Sequence, residues 1–391
     1  MKILVVTPLF PSKPDDHIGG FIVDSICALK KEGCDISLLV MRPWVPWILE
    51  KLKPGLKKGV DTSRIPAEID VTVCYYFSIP RNYLRWLSNK ISIKQIAAKI
   101  ANLACFSKFN LIHVHNELSV PAVITAGNNL SIPVVATVHG AETNRRYWRA
   151  SGKLISQALG KLNKLVLVGE PLVPFFRKRA SKNNHFTVVP NGFEFSPEML
   201  DVKKSEWVDE LRFVSVSNLS DEGKCIDITL RAFAELEIHQ KYNWIYTIVG
   251  DGCKRNEYQD LVISLGLKDK VRFVGACSHK EVYQHLQQSN IFCLPSCREA
   301  FGVAHLESMA FGLLSIGVRG QGPEMFIQHE KTGILVEPES VSSLVKALKS
   351  IFERPNDMQK IALQGKTQVH THFTWKQHAE KLMSVYKEVS L

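Results

Sequence analysis

The sequence lacks two features that would define a membrane or a secreted protein. No apolar run among its 391 residues reaches the roughly 18 residues that a membrane-spanning helix needs. Its nine cysteines are odd in number and scattered, and no two have C-x-x-C spacing, which argues against a disulfide framework and against a zinc site. This usage is typical of a reducing cytosol, and we expect most of these cysteines to be small core residues.

Other absences narrow the class further. The dinucleotide fingerprint G-x-G-x-x-G does not occur, which argues against a dehydrogenase. Short-period repeats and low-complexity segments are also absent. The opening residues, MKILVVTPLFP, carry one lysine and a short apolar run, so they indicate a buried first strand rather than a signal peptide.

What is present is a repeated alternation of short apolar runs with longer helical patterns. Runs such as KILVVT, DISLLV and PVVATV in the first half are matched by LRFVSVS, WIYTIVG and LLSIGV in the second. Continuous apolar strands alternating with helices predict parallel sheets covered on both faces. Since 391 residues exceed one comfortable core, we predict an α/β protein of two doubly wound domains, residues 1–190 and 191–372, with a terminal amphipathic helix at 373–391.

The net charge of +11 is unevenly distributed. Residues 42–110 hold twelve Lys/Arg and four Asp/Glu, a local charge of +8, with the aromatic residues Trp44, Trp47, Tyr83 and Trp86 interleaved. Nucleic acid, anionic lipid and a phosphorylated acceptor would each suit such a surface. A solvated basic face without a partner remains an equal alternative.

In parallel sheets ligands bind beyond the carboxyl ends of the strands, so polar residues just after strands are candidates. In the first half, Gly19 and Gly20 precede the first helix and would let backbone amides approach a phosphate or a sugar. His139 follows the strand PVVATV and could hydrogen-bond a phosphate or a reacting sugar, although a satisfied histidine at the core edge is as frequent. We interpret His113 as structural and leave His115 open.

Three candidates follow strands of the second half. Asn218 ends the strand LRFVSVS, and Lys224 stands just before the next helix, where its charge would add to the helix dipole at a diphosphate. Gly250 begins the G-x-G that follows WIYTIV and could bring the backbone close to a nucleotide. Taken singly these signals are weak, since most lysines are surface residues and most glycine pairs are turns.

The stretch SCREAFGVAHLESMAFG, residues 296–312, is the most informative. A helix beginning near Gly302 would leave the amides of Phe301, Gly302 and Val303 free to bind a diphosphate. Glu299 before this helix and Glu307 within it flank the amides. Because a carboxylate accepts paired hydrogen bonds from vicinal hydroxyls, the pattern suits a nucleotide sugar better than a metal, for which converging ligands are not indicated.

At these residues the sequence resembles the GT-B-fold nucleotide-sugar glycosyltransferases of glycosyltransferase family 4, which retain the sugar's configuration. The motif E-x-F-G-x-x-x-x-E is present as Glu299 to Glu307, and VVPNGFE, IVGDG, VRFVGACSHKEV, CLPSCREAFG and GPEMFIQHEKTGILVEP accompany it in the family's order. The resemblance covers nearly the whole chain. It implies two Rossmann-like domains facing a cleft, with the terminal helix packing back on the first.

The resemblance also implies residue roles. His139 and Glu299 would act on the donor sugar during catalysis. Glu307 would hold the ribose, while Phe301, Gly302, Val303, Lys224 and the neighbourhood of Gly19, Gly20, Asn218 and Gly250 would bind the rest of the donor. Two departures stand out: Asn218-Leu219 occupies the place where the family often has an arginine, and Lys224 is followed by a cysteine instead of a glycine.

The implied activity is transfer of a hexose-type sugar from a UDP- or GDP-sugar to a glycan or lipid-linked acceptor, in bacterial cell-surface polysaccharide or glycolipid synthesis. The alternatives are a sugar phosphorylase and a nucleotide-sugar epimerase. We expect no permanently bound cofactor, no metal and no nucleic-acid partner, and the sequence leaves the oligomeric state open. We expect a cytoplasmic protein that contacts the inner face of the anionic cytoplasmic membrane through residues 42–110.

Overall fold

The computed structural model of the protein describes residues 1–13, 19–45, 59–78, 85–140, 145–179, 186–195, 199, 207, 210–238 and 242–390. At 85–86 and 145–150 only the backbone is described. The chain divides into two compact units. The first unit contains Met1–Gly192 and Trp375–Leu391, and the second contains Phe193–Thr374.

A parallel sheet of seven strands forms the centre of the first unit. Its strands are β1 Lys2–Thr7, β2 Asp35–Trp44, β3 Asp70–Phe77, β4 Leu111–His115, β5 Val134–Val138, β6 Lys164–Leu167 and β7 Phe186–Val188. Their spatial order is β3-β2-β1-β4-β5-β6-β7. Because the order reverses between β1 and β4, the loops that follow these two strands leave a crevice at the carboxyl edge of the sheet.

Crossover helices connect these strands. They are α1 Gly20–Lys31, α2 Arg85–Phe106, α3 Val120–Leu130, α4 Arg145–Leu159 and α5 Val173–Arg177, and the chain returns at its end with α12 Trp375–Ser390. The terminal helix belongs to the first core, where Ala379, Leu382 and Tyr386 pack in one cluster with Ile22 and Ile26 of α1. The amphipathic pattern of its sequence therefore buries one face against α1.

The second unit has a parallel sheet of six strands. They are β8 Leu211–Val216, β9 Trp244–Val249, β10 Val271–Gly275, β11 Ile291–Cys293, β12 Leu314–Val318 and β13 Ile334–Val336, in the spatial order β10-β9-β8-β11-β12-β13. Its helices are α6 Ile226–Glu237, α7 Arg255–Ser264, α8 His279–Gln287, α9 Val303–Ala310, α10 Val341–Glu353 and α11 Pro355–His372. Here the order reverses between β8 and β11, and this places the loops after β8 and β11 side by side.

The predicted α/β class with two Rossmann-like domains is confirmed. The expectation that most cysteines would be core residues is wrong, since only Cys34, Cys74, Cys225 and Cys293 are buried. In the described part of the chain, no helix is long and apolar enough to cross a bilayer.

The structure also changes the interpretation of the basic region 42–110. Arg42 is only 3% exposed, and its guanidinium donates to the carbonyls of Pro8, Phe10 and Gly59 at 2.8–3.0 Å. Arg42 therefore ties two loops together and contributes nothing to a surface. Several members of the predicted surface lie outside the described residues, namely Trp47, Lys51, Lys53, Lys57, Lys58, Arg81 and Tyr83.

Candidate functional site

Two neighbouring loops hold the candidate residues of the second unit. We call residues 217–225 the β8 loop and residues 294–302 the β11 loop, after the strands that they follow. Both leave the carboxyl edge of the sheet at its switch point, so a ligand at this edge can touch both.

The β8 loop is held by its own side chains. The carboxamide oxygen of Asn218 accepts from the amide of Ser220 at 2.9 Å, and the carboxylate of Asp221 accepts from the amide of Gly223 at 2.9 Å. One 3-10 turn, Glu222–Lys224, then leads directly into α6. Asn218 therefore shapes the turn, and Lys224 lies at the helix start that the sequence predicted for it.

The β11 loop ends in a free helix start. Gly302 has φ 94° and precedes α9, and a Cβ at this position would lie 2.9 Å from Cγ of Pro323. The amides of Phe301, Gly302 and Val303 donate to no acceptor among the residues that the structure describes. Three unpaired amides at the positive end of a helix form an anion-binding arrangement.

Contacts between the two loops bring Lys224 and Glu299 together. The ammonium of Lys224 lies 2.7 Å from Oε2 of Glu299, and both side chains are about four-fifths buried. The amide of Cys297 donates to the carbonyl of Gly223 at 2.9 Å. The predicted phosphate lysine and the predicted sugar carboxylate therefore form one ion pair in this structure.

Sequence reasoning missed two residues at this edge. Arg298 lies across Gly223 and pairs with Asp221 at 3.3 Å, so it adds a second cation beside Lys224. The side-chain oxygen of Gln321 accepts from the amide of Glu299 at 2.9 Å and so fixes the position of that residue. Arg298 directly precedes the first glutamate of the motif, so the sequence could have predicted a cation there. Nothing in the sequence indicated the role of Gln321.

Glu307 lies one turn into α9. Burial raises the pKa of its carboxyl to about 7, and in the described part of the chain no positively charged side chain counteracts that shift. Among the described residues its carboxylate has no hydrogen-bond or ion-pair partner. A carboxyl group of this kind can accept hydrogen bonds from hydroxyl groups of a ligand.

Gly250 follows β9 at the same edge of the second sheet. Its φ is 132°, and a Cβ would lie only 1.8 Å from the carbonyl oxygen of Ser217 in the β8 loop. Only glycine fits there, because the two chain segments approach each other too closely for a side chain.

In the first unit, Gly19 and Gly20 start α1 as predicted. Gly19 has φ 82° and directly precedes the helix, and a Cβ at this residue would lie 2.5 Å from the carbonyl oxygen of Leu9. Phe21 follows the glycine pair, and the centroid of its ring lies 4.6 Å from that of the His139 ring. The glycine pair and His139 therefore lie at one edge of the first sheet.

His139 is held by a second histidine. Its Nε2 lies 3.0 Å from Nδ1 of His115, and the two rings are stacked. Its own Nδ1 is buried and finds no hydrogen-bond partner within the described ranges. His113, which we interpreted as structural, hydrogen-bonds Thr137 at 2.7 Å and Tyr386 at 2.6 Å. His115 is thus a positioning partner that the pattern H-x-H left unresolved.

These histidines are uncharged near neutral pH. Burial, aided by the mutual repulsion of the cluster, lowers the pKa of His139 well below its usual value, and burial lowers the pKa of His115 to about 3. A neutral imidazole can donate one hydrogen bond and accept another, but it supplies no positive charge.

Within the described ranges, no group of three or more His, Cys, Asp or Glu side chains could hold a metal ion.

Two family models together match most of the chain. The model described as Glycosyltransferase Family 4 matches residues 21–196, and the model described as Glycosyl transferases group 1 matches residues 200–368. Over its whole length the chain is also similar to glycogen synthase of Mycobacterium tuberculosis, with 26% identity over 415 residues, 99% of this chain and 94% of the relative.

Solved structures share the fold. The lipopolysaccharide outer core galactosyltransferase WaaB matches with a TM-score of 0.75 and 16% identity, over 99% of this chain and all of WaaB. Anabaena Alr3699/HepE, solved in complex with UDP, matches with a TM-score of 0.73 and 16% identity, over 99% of this chain and all of HepE.

Proposed function

Because the chain belongs to glycosyltransferase family 4, the GT-B glycosyl transferases of group 1, we propose that it transfers a hexose-type sugar from a UDP- or GDP-sugar to an acceptor hydroxyl with retention of configuration. The observation that carries this proposal is the Lys224–Glu299 ion pair beside three helix amides that have no acceptor within the described ranges. That arrangement offers positive charge to a diphosphate and a carboxylate to the hydroxyls of the attached sugar.

The donor would occupy this edge in a fixed order. Glu307, whose carboxylate has no partner among the described residues, would accept the ribose hydroxyls. Lys224 and the amides of Phe301–Val303 would bind the diphosphate. Glu299 would accept hydroxyls of the sugar. The structure of HepE with UDP supports a uridine nucleotide for a protein of this fold, and we propose UDP ahead of GDP.

In the proposed reaction the bond between the sugar C1 and the diphosphate oxygen breaks, and the acceptor oxygen bonds to C1 on the same face. The departing diphosphate accepts the proton of the acceptor hydroxyl, so no side chain needs to act as base. Lys224 and the helix amides stabilise the charge that builds up on the leaving group. These groups make a metal ion unnecessary in the proposal.

His139 would act on the sugar as a neutral hydrogen-bonding group. Nε2 of His139 contacts His115, so its buried Nδ1 is the ring nitrogen that would hydrogen-bond a sugar hydroxyl. Because the ring is uncharged at neutral pH, it would orient the sugar and would not protonate it.

The acceptor is proposed to be a glycan or a lipid-linked glycan of a bacterial cell surface. The likeness to WaaB, a lipopolysaccharide galactosyltransferase, supports this class. On α2 the exposed residues Lys90, Lys94 and Phe106 combine charge with an apolar side chain, as expected for reversible docking on the anionic cytoplasmic membrane. Co-sedimentation with anionic and with neutral vesicles at low salt tests this, and binding to neither kind overturns it.

A thermal-shift panel of UDP-, GDP- and ADP-sugars tests the donor site. A bound donor at 100 times its Kd stabilises the protein by about 2.7 kcal/mol. We expect the UDP-sugar to raise the Tm of the wild type and to lose most of this effect in Lys224→Met. Lys270→Met is the matched control, because Lys270 forms a similarly buried pair with Glu237 at 2.8 Å. Equal shifts in both variants would overturn the assignment of Lys224.

A further inference from the structure

Two thiols lie in the two loops of the donor site, and the proposed reaction uses neither. Cys225 directly follows Lys224 in the β8 loop, and Cys297 lies two residues before Glu299 in the β11 loop. Both are free thiols. They are 72 residues apart in the chain, yet the pairing of the loops brings them together.

Both cysteines donate a hydrogen bond to the carbonyl oxygen of Gly223. The carbonyl oxygen of Gly223 accepts from the amide of Cys297 at 2.9 Å and from the thiol of Cys225 at 3.6 Å. The residues that follow Cys297 then form the ion pairs with Asp221 and Lys224. The two segments therefore run alongside each other, with the Cys225 thiol and the Cys297 backbone at the same carbonyl.

Cys225 has an uncommon backbone conformation. Cys225 has φ 54° and ψ 40°, a left-handed conformation in which residues other than glycine are uncommon, and it stands between the 3-10 turn and α6. Its thiol is buried, and burial, followed by the neighbouring side chain of Cys297, raises the pKa of that thiol. Cys297 itself is partly exposed. One member of the pair is thus accessible from solvent and the other is not.

We propose that Cys225 and Cys297 form an oxidation site, in which a hydroperoxide converts the two thiols into a disulfide that bridges the loops of the donor site. The Cys297 thiol gives up its proton and attacks one peroxide oxygen, the O–O bond breaks, and the departing hydroxide takes up that proton as water, which leaves a sulfenic acid on Cys297. The sulfur of Cys225 then attacks the Cys297 sulfur, and the hydroxyl leaves with the Cys225 proton as a second water. Two thiols lose two electrons in total, and one peroxide gains them.

The effect of this bond on donor binding rests on the proposed function. A disulfide holds its sulfurs at about 2.05 Å and thereby draws the two loops together. Lys224 is one residue from the bridge and Glu299 is two residues from it. The disulfide would therefore hold this ion pair together, so that the two side chains could not separate to admit a diphosphate and its sugar. We expect the affinity for UDP to fall about tenfold, the effect of losing one hydrogen bond between a charged group and the diphosphate.

The test uses the full chain, reduced and then treated with hydrogen peroxide before free thiols are alkylated. Peptide mapping without reductant should find one new cross-linked pair of peptides, containing Cys225 and Cys297. Calorimetry with UDP should show the tenfold loss of affinity, and dithiothreitol should reverse it. Cys297→Ser should bind UDP as the reduced wild type does and resist peroxide. Cys105→Ser, which removes an exposed thiol of the first unit, should behave as the wild type.

Each outcome decides a separate point. If peroxide leaves both thiols free, or couples either to another cysteine, the oxidation site is wrong. If the disulfide forms and the affinity for UDP is unchanged, its control of the donor site is wrong. If the reduced protein binds neither UDP nor a UDP-sugar, the proposed function fails, while the peptide map still decides whether the disulfide exists.

Discussion

Glu307 offers the sharpest test of the donor site, because its protonation affects both stability and binding. Burial raises the pKa of its carboxyl from 4.5 to about 7. Between these pH values the folded chain binds more protons than the unfolded chain, so stability falls as the pH rises through this window. The full shift corresponds to about 3 kcal/mol. Since the residue keeps partial exposure, we expect a cost of about 1–3 kcal/mol above pH 7.

Replacing Glu307 with glutamine keeps the shape of the side chain and removes the ionisation. Without ligand, Glu307→Gln should melt above the wild type at pH 8, by about 2–4 °C for each kcal/mol recovered. Near pH 4.5 the advantage should nearly vanish, because the carboxyl is then protonated in the folded wild type and still half protonated in its unfolded state. Thermal melts at the two pH values measure the difference. An advantage of equal size at pH 4.5 and pH 8 would refute the role of the buried charge.

The same variant should bind donor poorly. Hydroxyl groups that donate to Glu307 favour its ionised form, so UDP binding should weaken as the pH falls from 8 to 6 in the wild type. In Glu307→Gln this pH dependence should disappear, and the affinity at pH 8 should be lower by about 1–3 kcal/mol, the cost of losing a charged acceptor. Titration calorimetry measures both quantities. Wild-type affinity in the variant at pH 8 would remove Glu307 from the ribose site.

Three further predictions concern other parts of the site. Because the pKa of His139 lies well below its usual value, the pH profile of kcat/KM should show no ionisation of this histidine between pH 6 and 8. A break in that profile near pH 6.5 that is lost in His139→Asn would contradict a neutral role. Turnover should persist in EDTA, and a full loss that Mg²⁺ restores would contradict a metal-independent reaction. Gly250→Ala should lower the free energy of unfolding, measured in urea, by about 3 kcal/mol or more, because the new Cβ would meet the carbonyl oxygen of Ser217. Gly266→Ala is the control: Gly266 has φ 70° and open space around it, so this change should cost only about 1–2 kcal/mol. Equal losses in the two variants would show that the contact with Ser217 is not what excludes a side chain at Gly250.

The sequence predicted those parts of the fold and site that depend on local pattern. The apolar runs predicted the strands, and the segment from Glu299 to Glu307 predicted a helix start with a carboxyl group on either side. The Lys224–Glu299 contact could not be predicted from the sequence, because it depends on β8 lying beside β11. The order of the strands is set by packing of the whole sheet. The buried position of Arg42 was missed for the same reason, since its partners are backbone carbonyls of loops distant in sequence.

The ion pair between Lys224 and Glu299 also bears on how a donor would enter. A partly buried pair keeps both charges ordered without leaving either one isolated, which would be costly. Near pH 7 Glu307 is half protonated, so on average it carries only part of a negative charge. An arriving diphosphate therefore meets a site that does not repel it, and it can replace Glu299 as the partner of Lys224. Under the proposed function, that exchange releases the Glu299 carboxylate to accept the sugar hydroxyls, so phosphate binding and sugar binding would be coupled through one salt bridge.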